Sequence, residues 1–341
     1  MSNTSTLRDD IVRADVSHLP ATIGAADDAA EVLRARLEAY SAQAEGAFSP
    51  STERAIASDT RHWAAWCVEH GATPLPATPA ALAAYVADSA KSLKPATIRR
   101  RLTSIAHQHR AAGLTAPTTD SQVTLALRRL GREQCSRQEQ AAPLGHAEVE
   151  KILAATGQAM VDHRDIALLL TARDGLLRRA ELVAVAAEDI DGADDGSGTL
   201  LIKRSKTDRI GAGAVVYLDK RTMLALVEWV TRAGITSGAI FRSLDRSGRL
   251  TPHTLSPDDV SRIFKKMAGR AGIDATHISG HSARVGMAQD LAASGAELAA
   301  LQLAGRWKSP TMPARYAERL AVGRGAVAQF YAKLAKVMTE G

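Results

Sequence analysis

The sequence contains few cysteines and few aromatic residues. Its two cysteines, Cys67 and Cys135, are too few for a disulfide framework or a four-cysteine zinc site, so a reducing environment and no metal are expected. Aromatic residues make up 4% of the 341 positions against 45% hydrophobic residues. The core must therefore consist mainly of Ala, Leu, Val and Ile, a composition that favours helices.

Long apolar runs are also missing. The longest one, residues 166–172, is far shorter than the ~20 residues that cross a bilayer. The first residues lack the basic and then apolar order of a secretion signal. We therefore expect a cytoplasmic protein that has no membrane partner.

The positive charge of the chain is concentrated in one segment. The sequence has 43 Lys and Arg against 37 Asp and Glu, a net charge of +6. Residues 91–137 hold ten of these basic residues but two acidic ones, so this window alone exceeds the net charge of the whole chain. Acidic residues usually alternate with basic ones on a solvated helix face, and they are scarce here. The segment predicts a surface that binds a polyanion such as nucleic acid.

Apolar periodicity separates a first helical unit from the rest of the chain. Residues 1–25 show no period and predict a flexible N-terminal arm. Residues 26–135 predict an all-helical bundle whose helices begin at Ser-Pro, Thr-Pro and Lys-Pro pairs. Residues 136–143 have no apolar period and predict a linker between domains.

The remaining residues, 144–341, predict a second and mostly helical domain. Two β-prone runs at 199–202 and 214–218 flank a Lys/Arg-rich connection and predict a small antiparallel sheet. A last amphipathic helix is expected over 322–338. The other helices are expected over 146–155, 162–173, 177–185, 219–232, 257–270 and 281–293. The fold class is therefore mainly α, with a small antiparallel β-sheet in the second domain.

Four short motifs in the second domain carry residue types that act on phosphates. They are Leu-Leu-Arg-Arg-Ala-Glu with Arg178 and Glu181, Arg-Ser-Lys-Thr-Asp with Lys206, His281-Ser-Ala-Arg284, and Arg-Trp307 followed by Arg-Tyr316. Each motif is weak by itself. His-x-x-Arg is expected about once by chance at this composition, and His107 with Arg110 also fits it.

The order of these motifs inside a helical domain, behind a basic helical domain, resembles that of the tyrosine recombinases, the phage integrase family. Gly-His-Ser-Ala-Arg-Val-Gly at 280–286 resembles the family's box around its His and second Arg, and the final Trp…Tyr motif resembles its last box. The resemblance covers roughly residue 25 to the end. It implies the catalytic fold of this family and a nucleoid-associated, site-specific recombinase that breaks and rejoins DNA without ATP, metal or another cofactor.

The resemblance also implies a role for each residue of the motifs. Tyr316 is the expected nucleophile, Arg178, Arg284 and Trp307 the phosphate ligands, Lys206 the general acid, His281 the helper in proton transfer, and Glu181 an orienting carboxylate. The chemistry agrees with these roles. A free tyrosine, with a pKa of ~10, needs activation, and two arginines stabilise a charged phosphoryl transition state in fork geometry.

The sequence has five tyrosines, each a candidate for the nucleophile. Tyr40, Tyr85 and Tyr217 fall on apolar faces and are expected in the core. Tyr331 lies in the last amphipathic helix and is expected to pack there. Tyr316 follows two prolines in a polar segment without a core period, which favours it as the nucleophile.

Two catalytic positions have a neighbour of the same type. Lys206 matches the hairpin lysine of the family, whereas Lys203 alternates with Ile202 in a strand and is expected to be solvated. Arg178 occupies the box position. Because adjacent helical residues point about a third of a turn apart, Arg179 is expected to be a surface charge or a phosphate contact.

The expected partner is double-stranded DNA with inverted-repeat half-sites. Two protomers would bind one site and two such dimers would form a tetramer, with the last helix docked on a neighbouring subunit, as the resemblance implies. The basic residues expected to contact DNA lie on three helices: Lys94, Arg99, Arg100 and Arg101, then Arg128, Arg129 and Arg132, and in the second domain Arg262, Lys265 and Lys266.

Two other functions are compatible with the same residues. A type IB topoisomerase-like enzyme would relax supercoils as a monomer and need no second site. A DNA-binding accessory or regulatory protein on a decayed recombinase scaffold would bind specific DNA and leave no covalent adduct. The complete set of catalytic residue types in the expected order argues against decay.

Overall fold

The computed structural model of this chain describes residues 24–134, 140–203, 213–323, 325, 327–332 and 334. The chain divides into two compact units, Met1–Gln138 and Glu139–Gly341. No helix in the described ranges is long and apolar enough to span a membrane. Residues 1–23 of the expected N-terminal arm and residues 136–139 of the expected linker lie outside these ranges.

Helices make up the described part of the first unit. They are α1 (Gly24–Gln43), α2 (Pro50–His70), α3 (Pro79–Ser89), α4 (Pro95–Ala111) and α5 (Ser121–Glu133), with a 3-10 turn at Pro117–Thr119. Helices α2 and α3 begin where the sequence predicts, because the side chains of Ser49 and Thr78 each accept a hydrogen bond from the first turn and the proline that follows has no N–H to satisfy. Helix α2 ends at Gly71, whose φ of 61° is left-handed.

The core of the first unit concentrates the scarce aromatic residues. Trp63 stacks on Trp66 with ring centroids 5.5 Å apart, and the Tyr85 ring meets Trp63 edge-on at 5.1 Å. Each indole finds an acceptor, since Trp63 Nε1 donates to the Pro74 carbonyl and Trp66 Nε1 to the Asp88 carboxylate. These contacts join α2 to α3 and to the segment between them.

The second unit is mostly helical with two small sheets. Its elements are α6 (His146–Ala155), α7 (Met160–Asp174), α8 (Arg179–Val183), β1 (Ile190–Gly192), β2 (Gly198–Ile202), β3 (Ala214–Leu218), α9 (Lys220–Ala233), β4 (Arg242–Leu244), β5 (Leu250–Thr254), α10 (Pro257–Arg270), α11 (Ser282–Ala293), α12 (Leu298–Ala304) and α13 (Thr311–Gly323). The expected mainly α fold class with a small antiparallel sheet is confirmed.

Helix α7 lies at the centre of the second unit. Its apolar run Leu168, Leu169 and Leu170 is buried on all sides, as expected of a helix surrounded by other elements. Arg173, in its last turn, donates to the Leu144 carbonyl at 3.1 Å and to Asp290 of α11 at 2.6 Å. The arginine thereby joins α7, α11 and the segment before α6.

Strand alternation explains one wrong expectation. Strands β1, β2 and β3 form an antiparallel sheet in that order, with Leu200 and Ile202 of β2 buried. Val215 and Tyr217 of β3 point to the opposite face, where the Tyr217 side chain is exposed. The prediction of Tyr217 as a core residue is therefore wrong, because its apolar neighbours alternate between the two faces.

Several elements were not expected from the sequence. These are β1, the β4–β5 hairpin and helices α12 and α13. Helix α8 is shorter than the expected 177–185, since the chain turns before it. Of the expected last helix, α13 covers residues up to Gly323 and residues 327–332 are helical, with Phe330 and Tyr331 exposed rather than packed; most of 333–338 lies outside the described residues.

Helix α11 approaches the backbone closely at Gly286. A Cβ at this position would lie 2.0 Å from the Leu144 carbonyl oxygen, which is backbone and cannot turn aside. We therefore expect Gly286→Ala to lower the free energy of unfolding by about 1–3 kcal/mol or more, measured by urea denaturation. Gly269→Ala is the matched control, because α10 leaves open space there and Ala is the better helix former. Equal stability of the two variants would contradict the close approach.

Candidate active site and nucleic-acid interface

A tight turn between α7 and α8 presents carbonyl oxygens to two arginines. Leu176 has a φ of 44°, unusual for a residue with a Cβ, and its side chain is buried. Its carbonyl accepts a hydrogen bond from Arg284 Nη1, and the Gly175 carbonyl accepts one from Arg306 Nη1 at 2.8 Å. The strained turn therefore fixes two guanidinium groups that come from distant parts of the sequence.

Glu181 holds two arginines on a single buried carboxylate. Its Oε1 accepts from Arg178 Nη1 at 2.6 Å, and its Oε2 accepts from Arg306 Nη2 at 2.9 Å and from the Arg178 backbone N–H at 3.0 Å. Burial by itself would raise the pKa of Glu181, but the hydrogen bonds from Arg178 and the charges of Arg306 and Arg178 outweigh it, so the pKa is lowered. Glu181 is thus an ionised acceptor that orients both guanidinium groups.

Arg284 is a buried cation with an aromatic partner. Its side chain spans from the Leu176 carbonyl to the Gly305 carbonyl, and its guanidinium carbon lies 4.6 Å from the centre of the Trp307 ring. Burial, followed by the charges of Arg178 and Arg306, lowers its pKa to about 10. Arg284 therefore remains charged at neutral pH beside two other arginines, an arrangement suited to an anionic ligand.

Tyr316 lies next to this cluster. Its ring centroid is 5.4 Å from that of Trp307. Trp307 packs against Gly305, where a Cβ would lie 2.0 Å from the indole ring. The sequence predicts a polar segment around Tyr316, but the residue lies in helix α13 and is half-buried. Pro313 fits there because it occupies the first turn, where its missing N–H leaves no gap.

His281 precedes α11 as its N-cap residue. The residue is exposed, but desolvation by the neighbouring atoms and then the charges of Arg179, Arg284 and Arg178 lower its pKa below the ordinary value of 6.5. The imidazole is therefore neutral at pH 7 and retains one acceptor nitrogen.

Arg179 and Lys203, the residues of the same type near Arg178 and Lys206, are each paired with a carboxylate. Arg179 donates to Asp258 at 3.0 Å, whereas Arg178 turns to Glu181. Lys203 Nζ lies 2.5 Å from the buried Asp189, and this ion pair raises the pKa of the lysine. Lys203 is thus ion-paired rather than simply solvated, while Lys206 lies outside the described residues.

The structure adds Arg306, which the sequence analysis did not select. The sequence shows that Arg306 directly precedes Trp307. Its contact with Glu181, however, joins two residues that are 125 positions apart. No motif spacing indicates such a contact. In the described ranges, no group of three or more His, Cys, Asp and Glu is placed to hold a metal ion.

The basic residues of the first unit do not all face outward. Arg100 donates to the fully buried Asp59 at 2.7 Å, and Arg101 donates to the Tyr85 hydroxyl at 3.1 Å with its side chain largely buried. Three consecutive helical residues point in different directions, so Arg101 turns toward Tyr85 while Arg99 is exposed. Its guanidinium contacts the core.

The other residues of this unit that are expected to contact DNA are exposed, and we call them the basic face. Lys94 and Arg99 at the start of α4 are exposed, and Arg99 Nη2 lies 3.9 Å from where a Cβ would be at Gly131 of α5. The α5 members of the basic face are exposed as well: Arg128, Arg129 and Arg132. The two helices therefore bring residues from separate parts of the basic segment side by side.

Helix α10 exposes a second basic group. Arg262, Lys265 and Lys266 are exposed, and Arg262 also pairs with Asp259 one turn earlier. An ion pair between exposed groups contributes little stability and leaves the guanidinium accessible.

Comparison with known proteins links these features to a family. Residues 143–321 match the phage integrase family. The chain is 33% identical over 280 residues to an integrase/recombinase XerD homolog of Selenomonas ruminantium, covering 79% of this chain and 82% of the relative. It is 27% identical over 300 residues to the Cre recombinase of Escherichia phage P1, covering 82% and 88%.

Solved structures share the fold at low sequence identity. The XerH site-specific recombinase, in a post-cleavage complex with palindromic difH substrate, superposes with a TM-score of 0.62 at 14% identity over 94% of this chain and 95% of that one. A lambda integrase dimer bound to a core site gives a TM-score of 0.55 at 19% identity over 81% and 92%.

Proposed function

Because the chain belongs to the phage integrase family and is a tyrosine recombinase related to Cre, we propose that it recombines specific DNA sites through a 3′-phosphotyrosyl intermediate and a Holliday junction. One observation carries the mechanism. Tyr316 lies beside Trp307, which packs on Arg284, in a cluster where Arg178, Arg284 and Arg306 outnumber the single carboxylate of Glu181.

In the first step Tyr316 attacks a DNA phosphorus atom. A bond forms between the phenolic oxygen and phosphorus, the bond to the 5′-oxygen breaks, and a 5′-hydroxyl leaves. The attack adds charge to the non-bridging oxygens, and Arg178 and Arg284 donate hydrogen bonds to them. Trp307 supplies a further N–H donor and cannot act as a base.

Two protons move in this step. The phenolic proton of Tyr316 passes to the imidazole of His281, which is neutral because desolvation and then the charges of nearby arginines lower the pKa of His281. The 5′-oxygen takes a proton from Lys206. The reverse attack by a 5′-hydroxyl of the partner strand restores the phosphodiester, so the energy of the broken bond is conserved in the phosphotyrosyl link.

The role of His281 has a measurable pH dependence. Since the folded-state pKa lies below 6.5, the neutral form persists as the pH falls and is lost only below that value. We expect the single-turnover cleavage rate to stay level from about pH 8 to about pH 6.5 and to decline below it. His281→Gln should lack this decline, whereas the exposed His253→Gln should retain it. A decline that starts well above pH 6.5 and disappears in His281→Gln would contradict a lowered pKa.

The DNA partner is a duplex with inverted half-sites, bound by the basic face and α10. Two protomers occupy one site, and two sites come together in a tetramer. Exposed apolar side chains near the C-terminal end support subunit docking: Val327 and Phe330 lie on the helical segment 327–332, and Leu334 is exposed as well.

Covalent trapping tests the function and separates it from the alternatives. The protein would first select duplexes from a randomised library. A series of these duplexes would then be synthesised, each with one nick at a different position between the two half-sites. We expect an adduct at a unique nucleotide, with a 3′-phosphate on the protein and a free 5′-hydroxyl. Specific binding without an adduct would indicate a regulatory protein. Adduct formation and supercoil relaxation at single sites, without exchange between two sites, would indicate a topoisomerase-like enzyme.

A further inference from the structure

Arg306 combines a strained backbone with a position in the candidate active site. Its φ is 52°, and among the described residues only Leu176 shares a positive φ without being glycine. The two strained residues touch, since Arg306 Nη2 lies 3.3 Å from the Leu176 carbonyl. A left-handed backbone at a residue with a Cβ costs free energy and persists where the surroundings impose it. The contacts of the Arg306 side chain must therefore offset that cost.

These contacts are specific and largely shielded from solvent. The guanidinium donates to the carbonyl oxygens of Gly175 at 2.8 Å and Leu176, and to Glu181 Oε2 at 2.9 Å. The side chain is 12% exposed. Arg306 therefore ties the turn after α7 to the carboxylate that contacts Arg178.

The two oxygens of Glu181 are divided between the arginines. Oε1 holds the Arg178 guanidinium, and Oε2 holds Arg306 together with the Arg178 backbone N–H. Without Arg306, Oε2 would lose its charged partner, and the carboxylate would be free to grip Arg178 with both oxygens. A bidentate pair is the preferred geometry of guanidinium and carboxylate, and it would use donors that Arg178 needs for a phosphate.

We propose that Arg306 is a positioning residue that holds Glu181 so that Arg178 keeps its free donors aimed at the scissile phosphate. The inference deepens the proposed recombinase function and rests on it. It assigns Arg306 an indirect role, through Glu181, and no contact with the DNA.

Arg306→Gly removes the side-chain contacts without adding backbone strain, because glycine adopts a φ of 52° readily. We expect this variant to stay folded and to melt at or modestly below the temperature of the wild type, because relief of the backbone strain offsets part of the lost contacts. It should bind the selected duplex with unchanged affinity and form the covalent adduct about 10–100-fold more slowly. Arg306→Lys retains the charge and should recover part of the rate. Arg232→Ala is the control for loss of one positive charge, since Arg232 is exposed and pairs with Glu228 on α9.

Combination with Glu181→Gln tests the indirect role. If Arg306 acts through Glu181, the double variant Glu181→Gln/Arg306→Gly cleaves no more slowly than Glu181→Gln alone, whereas a direct phosphate contact would make the two losses multiply. Multiplying losses, a wild-type rate in Arg306→Gly, or large parallel losses of melting temperature and rate in both Arg306 variants would each overturn the proposal. Failure of the wild type itself to form an adduct would instead refute the proposed function.

Discussion

Tyr316→Phe is expected to slow adduct formation on nicked duplexes by about 10⁴-fold or more, because the variant has no oxygen to attack phosphorus. The ring should stay beside Trp307, since the packing at 5.4 Å involves the aromatic ring alone. DNA affinity, measured by gel shift, and the melting temperature should therefore match the wild type.

The matched control is Tyr217→Phe. Tyr217 lies exposed on the outer face of β3, so loss of its hydroxyl should leave the cleavage rate unchanged. Covalent adducts from Tyr316→Phe at the wild-type rate would show that another residue is the nucleophile.

Arg284→Lys is expected to have the second largest effect, slowing cleavage by about 10²–10³-fold. Lysine keeps the positive charge, but its single ammonium group cannot donate to the Leu176 and Gly305 carbonyls and to a phosphate at once. The carbonyl left without its partner should also reduce the free energy of unfolding by about 1–3 kcal/mol. Rates come from single-turnover cleavage, and stability comes from urea denaturation.

Arg270→Lys is the comparison for Arg284→Lys. Arg270 pairs with the buried Asp162 at 2.6 Å in the same unit, so the same substitution changes a structural ion pair. It should reduce stability modestly and leave the cleavage rate of the folded protein unchanged. If both variants cleave at equal rates, the fork geometry of Arg284 is not what stabilises the transition state.

The sequence by itself determined the helical fold class and most helix starts. Capping depends on a side chain and an N–H a few residues apart, so Ser49-Pro50 and Thr78-Pro79 are sufficient to predict α2 and α3. The ordered motifs around Arg178, His281 and Tyr316 were equally visible, because they are local strings of residue types. That order led to the recombinase family, which the relatives then confirmed.

Only the tertiary structure decided which side chains meet. Arg101 turns to Tyr85 and Tyr217 turns outward, since a helix or strand face becomes inner or outer only when neighbouring elements pack on it. Arg306 contacts Glu181, 125 positions away, from a left-handed backbone conformation that an arginine in the sequence does not predict. Local hydrogen bonds and the order of motifs can be predicted from the sequence, because they involve residues a few positions apart. Contacts between distant segments depend on the path of the folded chain.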